Sequence, residues 1–152
     1  MIERYFEDGI LKFTNLLTST QINIIRNEID HFSKLDIGTK IFEKDEVSIR
    51  SIMSYHNKND ILNYFTSYKP IAEVVESIIG TRVYVSQSKI NLKSPAGIGK
   101  KWEYHRGFTF WHLLDGKPNQ DMVSVFICLS KQTIENGAVF ILEKSHKGFD
   151  VP

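Results

Sequence analysis

The feature that most constrains this chain is a set of apolar runs separated by tight turns rather than by helices. Residues 40–55 read as a strand, a turn at Lys44-Asp45-Glu46, and a second strand from Val47 to Met53. Residues 82–93 form the strongest strand signal, with Val83, Val85, Gln87, Lys89 and Asn91 sharing one face that passes from apolar to polar. That change of character fits either a solvated far end or a polar pocket. Residues 121–130 alternate Val123, Val125, Ile127 and Leu129 against Met122, Ser124, Phe126 and Cys128, so both faces look buried, as in a central strand. Asn136-Gly137 is a turn signal before a further strand over 138–142. Strands joined by turns pair antiparallel, so the pattern predicts an α+β fold with about six strands in a largely antiparallel sheet.

The helices gather towards the N-terminus. After a strand-like lead-in over 9–17, Thr18-Ser19-Thr20 offers capping hydroxyls. Ile22, Ile25, Ile29 and Phe32 then recur at helical steps until Asp36-Ile37-Gly38. Asp60 is placed to cap a short helix through Tyr64 or Phe65. Pro70 and Gly80 bracket another helix carrying Ile71, Val74, Val75, Ile78 and Ile79. Arg50, opposite Ile49 and Ser51, reads as a solvated strand arginine, and Ser124 as a satisfied core hydroxyl.

Size and charge narrow the function classes. The 152 residues suit one domain (1–152) able to bury roughly two-thirds of its unfolded surface. A formal charge of +1 with no basic run argues against a nucleic-acid partner held by electrostatics. No apolar run approaches the roughly 20 residues of a membrane span, and the opening Met1-Ile2-Glu3-Arg4 is not a signal peptide. A single cysteine, Cys128, allows no internal disulfide and suits a reducing cytoplasm.

The chemistry concentrates in residues 101–112, which hold Trp102, Glu103, Tyr104, His105, Arg106, Gly107, Phe108, Phe110, Trp111 and His112. Read as extended chain, Glu103, His105 and Gly107 share a face, and two residues advance roughly 6–7 Å, so groups two apart can converge on one metal ion. A His-x-Asp/Glu pair at this spacing supplies two ligands of a 2-His-1-carboxylate iron(II) triad. Here the third position is Gly107, which offers none.

The ordered series of residues 83–93, Tyr104-His105-Arg106-Gly107-Phe108, Trp111-His112, Asp115-Gly116 and Pro118 resembles the phytanoyl-CoA dioxygenase superfamily, and within it the ectoine hydroxylase branch. Glu43-Lys44-Asp45, Arg50-Ser51 and residues 141–147 extend the likeness from about residue 40 onwards. The resemblance implies a double-stranded β-helix (jelly-roll) with N-terminal helices, using iron(II) and 2-oxoglutarate on a small-molecule substrate. It implies His105 as an iron ligand, Asn91 and Ser124 at 2-oxoglutarate positions, and Gln87 and Trp111 in the substrate pocket. His146 and His112 match supporting rather than ligating positions.

Two departures stand out. Gly107 occupies the family's aspartate position, and nothing after Lys147 matches its second iron histidine or its 2-oxoglutarate arginine. The chain therefore reads as the front of a longer jelly roll, truncated before the closing strands. Three functional readings follow. A vacant ligand position at Gly107 would admit chloride, as in iron halogenases, so halogenation of an aliphatic carbon is favoured, with nearby Arg106 drawing the anion. Glu103 could instead replace the carboxylate in an ordinary ectoine- or amino-acid-type hydroxylase. Lastly, the domain could be non-catalytic, forming a homodimer or pairing with a missing C-terminal half through open sheet edges.

Overall fold

The computed structural model describes residues 2–93, 103–105 and 107–148. The opening residues form α1 (Ile2–Asp8), a helix where the sequence suggested only a mixed, acidic start. An Arg4–Asp8 pair one turn apart (3.2 Å) supports it, and Gly9 closes it with a left-handed φ of 79°. The lead-in over 9–17 is not a strand.

Helix α2 (Ser19–Lys34) starts where the hydroxyls predicted. Thr18 Oγ1 accepts the Gln21 N–H at 3.2 Å while Gln21 Oε1 accepts the Thr18 N–H at 2.8 Å, a reciprocal capping box. Its inward stripe buries Ile25, Ile29 and Phe32. Helix α3 (Asp60–Thr66) is capped by Asn59 rather than Asp60, because Asn59 Oδ1 accepts the Leu62 N–H at 2.9 Å. The Asn59 amide also donates to Glu28 Oε1 (2.6 Å), which fixes α3 against α2. Helix α4 (Lys69–Ile79) carries Pro70 in its first turn and ends on Gly80 at φ 81°.

Three short strands form one antiparallel sheet in the order β1 (Lys40–Phe42), β2 (Ile49–Met53), β3 (Lys89–Asn91). Ser51 pairs with Asn91, Ile52 with Ile90 and Met53 with Lys89. Paired residues share a face, so Ile52 and Ile90 point one way and meet Ile25, Ile29, Phe32, Leu62 and Phe65 in the core. Asn91 and Lys89 alternate onto the other face and are exposed, as is Gln87 in the segment before β3. Arg50 is not solvated: its Nη1 reaches both oxygens of the buried Glu43 at 3.2 Å, and its side chain is 15% exposed.

The C-terminal part departs most from the sequence reading. Residues 107–115 are a helix, α5 (Gly107–Asp115), not a strand. An apolar segment with no period of two gains its own backbone hydrogen bonds as a helix without needing a neighbour. Only residues 89–91 of the predicted long strand join the sheet. Segments 121–130 and 138–142 lack ladder partners among the described residues, and neither is buried on both faces: Ser124, Val125, Phe126 and Cys128 are all exposed. The structure thus holds a partial α+β architecture with three paired strands among the described residues, rather than about six. The chain's latter part is pinned back at its end: the Lys144 N–H donates to the Asp8 carbonyl (2.9 Å), and His146 Nε2 lies 3.1 Å from the Phe6 carbonyl with its ring against Gly9. His146 is therefore a tether between the chain's two ends, in keeping with a supporting role.

Candidate functional site

His105 is the histidine of this segment that the family resemblance points to. It is exposed, and its Nδ1 lies 2.8 Å from the Glu103 carbonyl oxygen. A carbonyl can only accept, so Nδ1 donates to it. Metal-binding histidines are commonly fixed in this way, with the other ring nitrogen donating to a carbonyl. Glu103 engages His105 through its backbone; its carboxylate is exposed. Arg106, expected to draw an anion, and Trp102 lie outside the described residues.

The helix begins at Gly107, so Gly107 and His105 do not share a strand face. One turn along, Trp111 lies over the glycine: a Cβ at 107 would sit 3.9 Å from Trp111 Nε1, in ordinary contact. His112 is held in a similar way. Its Nδ1 lies 2.6 Å from the Lys117 carbonyl, and its ring stacks on Phe108 at 5.3 Å. These contacts brace the helix end.

Lys117 connects this helix to the extended segment that leads into β3. Its ammonium donates to Ser86 Oγ at 2.6 Å and sits 5.9 Å from the centre of the Tyr84 ring. The turn after Trp111 is thereby tied to the residue beside Gln87, a link with no sequence signature beyond a lysine in a Gly-Lys-Pro turn. Gln87 itself is exposed. Asn91 Oδ1 accepts from the buried Ser51 hydroxyl at 3.3 Å, which orients the asparagine on the face away from the helices. Lys89 lies between them on that face. Desolvation, then the nearby Arg50 charge, holds its ammonium below the usual lysine range. The sequence reading passed over Lys89 as a site residue, although the alternation placed it with Gln87 and Asn91.

Lys89 and Asn91 thus share one sheet face, Gln87 is exposed on the segment that leads into β3, and Lys117 brings the end of α5 alongside that segment. Ser124 is exposed on the unpaired segment. Two surface hollows, one lined by Glu73, Glu76, Ser77, Gly80 and Thr81 and the other by Lys34, Asp36, Gly38, Lys40 and Phe42, include none of these residues. Among the described residues no three His, Cys, Asp or Glu side chains gather to hold a metal ion. His105 fits iron(II) as a single ligand; the described residues do not make a complete iron site.

The family described as "Phytanoyl-CoA dioxygenase (PhyH)" matches residues 5–152. The chain is 29% identical over 153 residues to "Ectoine dioxygenase" of Stutzerimonas stutzeri (strain A1501), covering 98% of this chain and 50% of that protein. It is also 29% identical over 146 residues to "L-proline trans-4-hydroxylase" of Streptomyces griseoviridis, covering 95% and 54%. The fold resembles that of EctD from S. alaskensis, solved with 2-oxoglutarate and 5-hydroxyectoine. There the TM-score is 0.72 at 23% identity, over 79% of this chain and 44% of the other. The chain therefore spans about half the length of the relatives it matches.

Proposed function

Because the chain belongs to the phytanoyl-CoA dioxygenase family, we propose that it supplies part of a site for iron(II)- and 2-oxoglutarate-dependent hydroxylation of a small polar or zwitterionic molecule. The observation that carries this reading is His105, whose Nδ1 is committed to the Glu103 carbonyl so that Nε2 is free to ligate. When bound, iron and 2-oxoglutarate would supply the oxidising power; this chain's residues bind and orient. Asn91, steadied by Ser51, is the candidate 2-oxoglutarate contact on this stretch, with Ser124 its proposed companion. Gln87 and Trp111 are the candidate substrate contacts. Lys89 adds a cation suited to a substrate carboxylate, and the Trp111 ring suits a substrate cation. Ectoine and proline, the molecules named for the relatives, are both of this zwitterionic kind.

The relatives' names, dioxygenase and hydroxylase, favour hydroxylation over the halogenation that Gly107 suggested from sequence. Gly107 keeps chloride as a second reading, since the position beside His105 carries no carboxylate. The test is mass spectrometry of products from L-proline and ectoine, using the protein that carries this chain with iron(II), 2-oxoglutarate and oxygen. Products that gain one oxygen atom irrespective of chloride support the proposal. Chloride-dependent chlorinated products would replace it with the halogenase reading, and consumption of neither substrate nor 2-oxoglutarate would leave a non-catalytic domain.

A further inference from the structure

Gln87 and Trp111, the two candidate substrate contacts, stand on parts of the chain with different local support. Trp111 belongs to α5, which makes its own backbone hydrogen bonds. Gln87 lies within residues 82–88, which belong to no helix or ladder. Side-chain ties on either side of Gln87 take the place of a ladder. On its C-terminal side Ser88, 6% exposed, accepts the His56 backbone N–H at 3.2 Å, and His56 Nδ1 lies 2.6 Å from the same hydroxyl. The Ser88 carbonyl also accepts the Ser54 N–H at 2.8 Å. On its N-terminal side the Lys117 ammonium donates to Ser86 Oγ at 2.6 Å and sits 5.9 Å from the centre of the Tyr84 ring. Tyr84 and Ser86, two residues apart, therefore turn the same side of the segment towards one cation. The hydroxyl bond is charge-assisted, and the ring face attracts an ammonium within about 6 Å.

The backbone of Lys117 is in turn held to the end of α5. Its N–H donates to the Trp111 carbonyl at 3.4 Å, and its carbonyl accepts from His112 Nδ1 at 2.6 Å. Gly116, at φ 64°, turns the chain back so that both contacts form. One residue thus grips the Trp111 turn by its backbone and the Gln87 segment by its side chain. We propose that Lys117 is a positioning residue: it sets the spacing between Trp111 and Gln87, and so the fit of a substrate between them. The inference rests on the hydroxylation reading for the roles of Gln87 and Trp111, whereas the tie itself is independent of turnover. Loosening residues 84–87 would leave His105 where it is, so the effect falls on substrate binding rather than on the chemical step.

The test uses the protein that carries this chain, isotope-labelled for NMR, with three substitutions. Lys117→Met keeps the apolar stem and removes the charge, Lys117→Arg keeps a cationic donor, and Ser86→Ala cuts the tie from its other end. Backbone order parameters over 84–87 should fall from roughly 0.85 to below about 0.6 in Lys117→Met and in Ser86→Ala. They should stay high in Lys117→Arg, and at Ser88 in all three. With L-proline or ectoine, whichever the unmodified protein hydroxylates, KM should rise about tenfold in Lys117→Met with kcat within about twofold, and Lys117→Arg should restore it. Unchanged order in Lys117→Met and Ser86→Ala would overturn the proposal, as would an unmoved KM or a loss confined to kcat. An unmodified protein that turns over neither substrate would end the hydroxylation reading instead, and the order parameters would then decide for or against Lys117.

Discussion

Residues 19–93 and residues 117–148 are similar in apolar content but opposite in outcome. In the first region Ile25, Ile29, Phe32, Ile52, Leu62, Phe65 and Ile90 close into one core. In the second, Phe126, Ile134 and the run from Val139 to Leu142 remain half-exposed or more. The difference lies in how each element satisfies its backbone. A helix makes its own hydrogen bonds and presents one stripe, which α2 and α3 bury against three strands. An extended segment needs a neighbour before its apolar side chains can be covered.

The sharpest way to test this contrast is to truncate one phenylalanine in each region. Phe32, 1% exposed, should cost about 3–5 kcal/mol as Phe32→Ala, while the exposed Phe140→Ala should change stability by no more than about 0.5 kcal/mol. Urea unfolding of the two variants measures both, and equal losses would erase the distinction between the regions. Next in size is Arg50→Met, which strands the Glu43 carboxylate, 2% exposed, away from the guanidinium that holds it. Removing one partner of such a pair should destabilise by about 3 kcal/mol. Exchanging both, as Glu43→Leu with Arg50→Met, should recover much of that loss.

Smaller again is Thr18→Ala. Loss of the capping box at the start of α2 should cost about 1 kcal/mol, read from the shift in thermal midpoint. The smallest effect is a pH dependence at Tyr55. Burial raises its phenol above the ordinary value of 10.0, and the hydrogen bond from Thr66 opposes part of that rise. The folded chain holds this proton more tightly than the unfolded chain does. Its contribution is therefore complete below about pH 10 and is lost as pH climbs through the raised folded value. Tyr55→Phe should flatten the alkaline decline in stability; an unchanged slope would assign that decline to other groups.

Much of the first region was legible because its signals are local. Thr18 to Gln21, the stripe from Ile22 to Phe32, the turn before Val47 and the Pro70–Gly80 bracket each specify structure within a few residues. Asn59 was missed for a local reason, since Asn and Asp both cap and stand side by side here. Arg50 was misread because its partner, Glu43, lies across a hairpin. The helix at 107–115 defeated the strand reading because aromatic residues favour strands only where a ladder is available. The family resemblance placed His105, Gln87, Asn91 and Trp111 as candidates. The Lys117–Ser86 link and the depressed Lys89 ammonium depend on contacts across 31 residues and on desolvation, neither of which a sequence displays.

Position 107 offers one more comparison, between the glycine present and the carboxylate that the family resemblance would put there. Gly107→Asp should be tolerated, since among the described residues a Cβ there meets Trp111 Nε1 at ordinary contact distance, and an acidic group suits the first turn of a helix. Circular dichroism should be unchanged, and a loss of helix would contradict the packing described for α5.

The central proposal is that His105 is an iron ligand, in a chain whose described residues do not make a whole iron site. Anaerobic isothermal titration of the 152-residue chain with iron(II) tests it most directly. Weak binding that disappears in His105→Ala is the predicted result. Sub-micromolar affinity, or binding that survives His105→Ala, would contradict it and show that other residues of this chain complete the site.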